Sequence, residues 1–220
     1  MFTALATGVA VVLMLYLCGQ HWTARSRRKR ATRIIRRLEE ALAGRGHVVN
    51  FHWLAETQFE AALRFASSSF KRSCVRVEFS ESTLPLKPWL WRSCAESERL
   101  VFSSDLEAAP RFRLNLMNQR WTAQSGKIKC LEAAKWNYET VMPVIFTTAS
   151  DWSPELAATV VTSRSNQQQF QDVQFRQSSP HFSASMPLHI FSEGENHLEF
   201  FTALRDLAAE VSTAAKSQGN

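Results

Sequence analysis

The first pattern along the chain is an uncharged apolar run at its N-terminus. Residues 2–18 are almost entirely apolar, and no side chain before Arg25 is charged. In a helix that rises about 1.5 Å per residue, this run is roughly 26 Å long, and extension to Trp22 gives roughly 31 Å, enough to span a hydrocarbon core. Trp22 falls where an interfacial aromatic residue sits. The pattern predicts a transmembrane helix over residues 1–23.

The charges that flank this run predict its orientation. Only the α-amino group precedes the run, whereas Lys and Arg crowd the residues that follow it. A cleaved signal peptide carries its positive charge before the apolar run, and a lipoprotein signal needs a small residue where Leu17 precedes Cys18. Because cytoplasmic flanks are rich in Lys and Arg, we expect a retained single-pass anchor, with the N-terminus outside and the rest of the chain in the cytoplasm.

An amphipathic pattern over residues 24–46 follows the anchor. Helical spacing groups apolar side chains on one face, namely Ile34, Ile35, Leu38, Ala41 and Leu42. Two interpretations stay open: a basic helix that lies on anionic headgroups, or a plain flank that continues the transmembrane helix. The first interpretation makes the bilayer a partner and predicts these membrane-surface residues: Arg25, Arg27, Arg28, Lys29, Arg30, Arg33, Arg36 and Arg37.

Beyond residue 46 the patterns predict one α+β domain over residues 47–214 and a tail over 215–220. Residues 47–54 indicate a first strand. Residues 55–67 predict a helix, because apolar side chains recur there at helical spacing: Phe59, Ala62, Leu63 and Ala66. Further strands are predicted around 75–79, 127–132, 138–149, 158–162 and 171–176. Residues 105–123 stay open between helix and strand, with a strand favoured from residue 111 onward.

The last two elements have the clearest patterns. Residues 182–190 alternate apolar with polar side chains, which is typical of a half-buried strand, and Pro187 suggests a sheet edge. Residues 197–214 predict an amphipathic helix with this apolar stripe: Phe200, Leu204, Leu207, Ala208 and Val211. We therefore expect roughly six to eight mostly antiparallel strands closed by a C-terminal helix. This order of elements resembles the pleckstrin-homology architecture and the helix-grip architecture of lipid-transfer domains, although no motif carries either resemblance.

The charge distribution argues against a nucleic-acid-binding domain. The net charge of the chain is +6, but residues 23–46 alone hold nine basic and two acidic side chains. The 174 residues that follow hold 17 basic and 18 acidic side chains. Since phosphate neutralisation needs clustered Lys and Arg, we expect no nucleic-acid partner for the domain.

The sequence predicts no catalytic residue, no cofactor site and no metal site. Ser68 and Lys71 have Ser-x-x-Lys spacing, but the companion motifs of penicillin-binding enzymes are absent from the chain. His181 and His189 would lie roughly 26 Å apart on one strand, too far to share a metal ion. Cysteines at positions 18, 74, 94 and 130 show no Cys-x-x-Cys spacing, as expected of free thiols in a reducing compartment. Whether the domain is an enzyme stays open, with a non-enzymatic role favoured.

A Pro-rich aromatic stretch at residues 84–91 is the strongest candidate for partner binding. It contains Trp89 and Trp91, which either dock a partner or pin the loop to the core. We therefore expect a membrane-anchored interaction module, an accessory or scaffold subunit with a protein partner. The alternative is a membrane-tethered domain that binds an apolar ligand or lipid in a pocket between the sheet and the closing helix.

Overall fold

The computed structural model describes nine segments of the chain. They are residues 2–66, 69–80, 98–107, 109–110, 113–118, 137–141, 144–148, 170–192 and 196–217. Within the helices and strands, the side chains of these residues are not described: 2–13, 15–16, 20, 116–118, 137–141, 144–148, 196 and 210–217. The predicted strands at 127–132 and 158–162 lie outside the described residues.

A single long helix, α1, opens the fold and runs from Phe2 to Leu42 over 41 residues. It ends in a turn in which Gly44 adopts a φ of +74° and Arg45 N–H donates to the Leu42 carbonyl oxygen. A left-handed glycine after the last helical residue is a common helix terminator, because glycine lacks the Cβ that disfavours this φ. The amphipathic helical pattern predicted within residues 24–46 is therefore confirmed as the end of α1, up to Leu42.

The first half of α1 covers the predicted anchor. Among the described residues, which do not include the side chains of residues 2–13, no helix is both long and apolar enough to cross a membrane. The transmembrane anchor stays a prediction.

In the described part of the chain, nine strands form one sheet in which every neighbouring pair is antiparallel. The strands are β1 (Gly46–Ala55), β2 (Gln58–Phe65), β3 (Phe70–Glu78), β4 (Arg99–Leu106), β5 (Leu114–Asn118), β6 (Asn137–Val141), β7 (Val144–Thr148), β8 (Asp172–Phe175) and β9 (Phe182–Pro187). Their spatial order is β1-β2-β3-β4-β9-β8-β5-β7-β6. Two further helices, α2 (Leu188–Ser192) and α3 (Asn196–Ser217), complete the described elements. The α+β class and the antiparallel sheet are confirmed.

The predicted helix at residues 55–67 is wrong, because this segment is strand β2. Phe59, Ala61 and Leu63 are buried and alternate with more exposed residues, which is the period of a strand. The strand pairs with β1 on one side and β3 on the other. Ala, Leu and Glu favour helices only weakly, so the two hydrogen-bonded neighbours override the local preference. The residues around 111–123, by contrast, do contain the expected strand, β5.

The final strand is shorter and more central than predicted. It ends at Pro187, and Leu188 and Ile190 belong to α2 instead. The predicted edge position is wrong, because β9 lies between β4 and β8. Proline is tolerated there because it is the last residue of the strand, opposite Arg99. The next backbone N–H, that of Leu188, donates to the Glu98 carbonyl oxygen.

The core lies between one face of the sheet, here called the inner face, and helices α1 and α3. From α1 it takes Ala31, Ile34, Leu38, Ala41 and Leu42. From α3 it takes Phe200, Phe201, Leu204, Leu207 and Ala208, which confirms the predicted closing helix. Aromatic rings fill this layer: the Phe201 ring lies 5.5 Å from that of Phe65 and 6.0 Å from that of Phe102.

Candidate functional site

The first candidate region is the N-terminal half of α1, where three of the described side chains are large, apolar and exposed. Met14, Leu17 and Trp22 are 69%, 56% and 77% exposed. On the same helix Leu38 is fully buried. Large apolar side chains grouped in this way on one segment mark a surface that contacts a membrane or another protein.

The basic stretch of α1 is divided between two sides of the helix. The domain-facing arginines are Arg27, Arg30 and Arg37. Arg27 donates to the Ser80 carbonyl oxygen at 3.3 Å, and Arg37 donates to that of Ser192. These contacts fix α1 to the ends of β3 and α2.

Arg30 makes the strongest of these contacts. Its guanidinium group donates two hydrogen bonds to the Glu98 carboxylate, one of them 2.9 Å long. The same guanidinium lies 5.4 Å from the centre of the Phe79 ring. Two parallel bonds to one carboxylate fix both distance and orientation. Arg30 therefore locks the middle of α1 to the ends of β3 and β4.

The outward cations point away from the domain and are exposed to solvent: Arg25, Arg28, Lys29, Arg33 and Arg36. Arg36 pairs with Glu40 at 3.1 Å, one helical turn further on. Exposed pairs of this kind contribute little to stability. The eight predicted membrane-surface residues thus lie along one helix, and the structure assigns domain contacts to Arg27, Arg30 and Arg37.

The predicted partner-binding tryptophans, Trp89 and Trp91, lie outside the described residues. The described residues that flank this segment are Ser80 and Glu98. Both of these residues contact α1, through Arg27 and Arg30 respectively. The described residues on both sides of the tryptophan segment therefore lie beside the basic stretch.

A second candidate region is a groove on the sheet face opposite the helices, here called the outer groove. Its volume is about 590 Å³. Small polar side chains of three adjacent strands line its centre: Cys74, Ser103, Ser183 and Ser185. Most of the other lining side chains are charged, and several of them are paired within the sheet. Arg76 binds Glu60 at 2.9 Å and Arg99 binds Glu78 at 2.5 Å.

Among the described residues in and beside the outer groove, no hydrogen-bonded pair of nucleophile and base is present. His181 Nδ1 lies 3.8 Å from Asp105 Oδ1, which is too long for the hydrogen bond that orients a catalytic imidazole. Burial and the nearby Glu60 carboxylate raise the pKa of the Cys74 thiol, although Arg76 acts in the opposite direction. A protonated thiol is a poor nucleophile. In the described part of the chain no group of three or more His, Cys, Asp or Glu residues could hold a metal ion.

Sequence patterns did not identify the outer groove, although its residues alternate visibly along β3 and β4. In the sequence, residues such as Arg76 and Glu78 look like the solvent-exposed face of an ordinary strand. Whether these residues form a shared groove depends on the strand register, which sets Glu60 opposite Arg76 and Arg99 opposite Glu78. No known family model matches this chain, and no curated protein is significantly similar to it.

Proposed function

We propose that this chain is a single-pass membrane protein whose domain is a protein-interaction module of a membrane-associated assembly. The observation that carries the proposal is the continuity of α1. One helix joins an uncharged apolar segment to residues buried in the domain core, without an intervening linker. Such a helix would hold the domain at a fixed distance from the bilayer.

Exposure along α1 supports this arrangement. Met14, Leu17 and Trp22 lie uncovered at the end that would enter the bilayer. The outward cations follow, and the first three, Arg25, Arg28 and Lys29, fall within about 10 Å of Trp22 along the helix. Close to the headgroups, each basic side chain contributes about 1 kcal/mol beside an anionic leaflet. Because Lys and Arg favour the cytoplasmic side, the proposal places the domain in the cytoplasm and the N-terminus outside.

Aromatic packing favours the interaction module over the lipid- or ligand-binding alternative. In pleckstrin-homology-like and helix-grip-like architectures, a ligand would occupy space between the sheet and the closing helix. Here the rings of Phe65, Phe102 and Phe201 contact one another in that layer. The described part of the layer is filled by the protein's own side chains, and the outer groove on the other face is polar.

The test is the topology of the full chain in membranes. We expect alkaline carbonate to leave the chain in the membrane fraction. We also expect a reporter at the C-terminus to be protected from protease added outside intact cells. Extraction by carbonate would contradict the anchor, and cleavage of the domain from outside would contradict the orientation.

A further inference from the structure

The two ends of strand β1 lie at different levels along α1. The first end, here called the far end, follows the C-terminus of α1: Arg45 N–H donates to the Leu42 carbonyl oxygen, and Ala66 N–H donates to that of Arg45. Strand β1 begins directly after this turn. Since α1 rises about 1.5 Å per residue, Leu42 lies about 30 Å beyond Trp22 along the helix axis. The far end is therefore remote from the apolar segment.

The opposite end, here called the turn end, contains the turn between β1 and β2, residues Glu56 and Thr57. The Thr57 carbonyl oxygen accepts a hydrogen bond of 2.8 Å from Phe79 N–H. The Phe79 ring stacks on that of Trp53, with 6.2 Å between the ring centroids, and its centre lies 5.4 Å from the Arg30 guanidinium. Strand β1 therefore runs back along α1, and the turn end lies beside the basic stretch.

Two arginines fix the level of the turn end. Arg27 donates to the carbonyl oxygen of Ser80, which follows β3, and Arg30 donates to the Glu98 carboxylate, which precedes β4. The Cα atoms of these arginines lie about 8 Å and about 12 Å beyond Trp22 along the helix axis. The turn end is thus about 20 Å closer to the apolar segment than the far end is.

We propose that the turn end is the membrane-facing end of the domain and lies against the lipid headgroups of the bilayer that α1 crosses. This inference rests on the membrane anchor of the proposed function. With Trp22 at the edge of the hydrocarbon core, a headgroup layer about 5–8 Å thick extends to the level of Arg27. Ser80 and the neighbouring turn then meet this layer, whereas the far end stands in water.

The space below the turn end favours lipid headgroups over a folded protein. Between the level of Trp22 and the turn end, the axial distance of about 8–12 Å is no wider than one helix with its side chains. A folded partner would have to enter the headgroup layer to fit there. The level itself is set by the bonds between α1 and the sheet, so it does not depend on which residues of the chain cover the turn.

The side chains near the turn show what holds it at this level. Leu54 is 45% exposed, and an exposed apolar side chain is compatible with the headgroup boundary. Glu56 is also exposed, and anionic lipids repel its carboxylate. The rigid attachment to α1, rather than attraction of the turn to charge, therefore sets the level. Among the outward cations, Arg25 and Arg28 lie at a similar level and offer the attraction to anionic lipid.

The experiment is energy transfer from a fluorescent amino acid in the full chain to an acceptor dye on lipid headgroups. The vesicles contain phosphatidylcholine and phosphatidylserine, with the dye on the leaflet that faces the domain and a transfer distance of roughly 20 Å, the separation of the two ends. The donor replaces Glu56 at the turn end or, as the matched control, Ala43 at the far end; both are exposed turn residues. We expect the donor at Glu56 to lose most of its fluorescence and the donor at Ala43 to lose far less.

Equal transfer from both positions would overturn the proposal, because the domain would then lie flat on the bilayer or move freely about it. Stronger transfer from Ala43 would also overturn it. If the donor at Glu56 lowers the melting temperature, the exposed neighbour Ala55 replaces it. A third donor at Met14, read with acceptors attached to lipid chains, separates the two proposals. Transfer at Met14 without preference for Glu56 refutes only the membrane-facing end, whereas no transfer at Met14 refutes the anchor and this inference with it.

Discussion

The two sides of α1 between residues 25 and 42 differ in burial and in charge. One side packs Ile34, Leu38 and Leu42 into the core. The other side presents the outward cations to solvent. Between the two sides, Arg30 reaches across to Glu98. The comparison shows that the basic stretch is divided: some of its arginines join the helix to the domain, and the outward cations face solvent.

The core side should tolerate a charge least. Leu38→Asp would bury a carboxylate where Leu38 is fully buried, and we expect a loss of at least about 4 kcal/mol in the free energy of unfolding. Thr32→Asp, on the exposed side of the same helix, should change it by less than about 0.5 kcal/mol. Urea unfolding of the full chain in mild detergent measures both. Equal effects of the two substitutions would remove the distinction between the sides.

The outward side should matter for the membrane and hardly for stability. In a variant without residues 1–22, replacing Arg25, Arg28, Lys29 and Arg33 by Gln should weaken binding to vesicles with anionic lipid by about fivefold per charge. The unfolding free energy should stay within about 0.5 kcal/mol. Vesicle sedimentation with and without phosphatidylserine measures the binding. Unchanged binding would show that these cations have no contact with headgroups.

The arginine that crosses between the sides should show an intermediate effect. Arg30→Gln and Glu98→Gln should each cost about 1–2 kcal/mol of unfolding free energy, because each leaves the other partner without its charge-assisted bonds. The double variant should cost less than the sum, with a coupling of about 1 kcal/mol. Arg33→Gln is the control and should have no measurable effect. Additive costs would mean that the pair is not coupled.

The smallest expected effect lies on the outer groove. Because burial raises the pKa of the Cys74 thiol above its ordinary value of about 9.0, the folded state holds this proton more tightly than the unfolded state does. Its contribution to stability is complete below about pH 9 and is lost as the pH rises through the folded pKa. As the pH rises from about 8 to about 10, the free energy of unfolding should therefore fall less in the Cys74→Ser variant than in the unaltered chain. Parallel pH curves would contradict the burial of this thiol.

Local patterns predicted the elements whose apolar stripe decides their packing. The end of α1 and helix α3 each bury the face that their sequence indicates, and β1 and β8 lie where strands are predicted, around residues 47–54 and 171–176. Strand β2 was mistaken for a helix, because its apolar residues fit both periods and its Ala, Leu and Glu favour helices locally. The pairing of β2 with β1 and β3 makes this segment a strand. That pairing cannot be recognised from the segment's own sequence.

The candidate surfaces were harder to predict than the elements. The basic stretch was visible as composition, but its division depends on Glu98 and Ser80, which are distant along the chain. The outer groove depends on strand register. Register arises from non-local pairing, so no window of sequence contains it.

The central claim, that α1 crosses the bilayer and continues into the domain core, is tested most directly by the depth of two probes. In a full-length variant with its cysteines replaced by serine, Met14→Cys and Arg36→Cys would each carry an environment-sensitive fluorophore in lipid vesicles. We predict that quenchers attached to lipid chains reach the probe at Met14, that iodide does not, and that the probe at Arg36 shows the reverse. Equal quenching of both probes by iodide would place the N-terminal half of α1 in water and contradict the account.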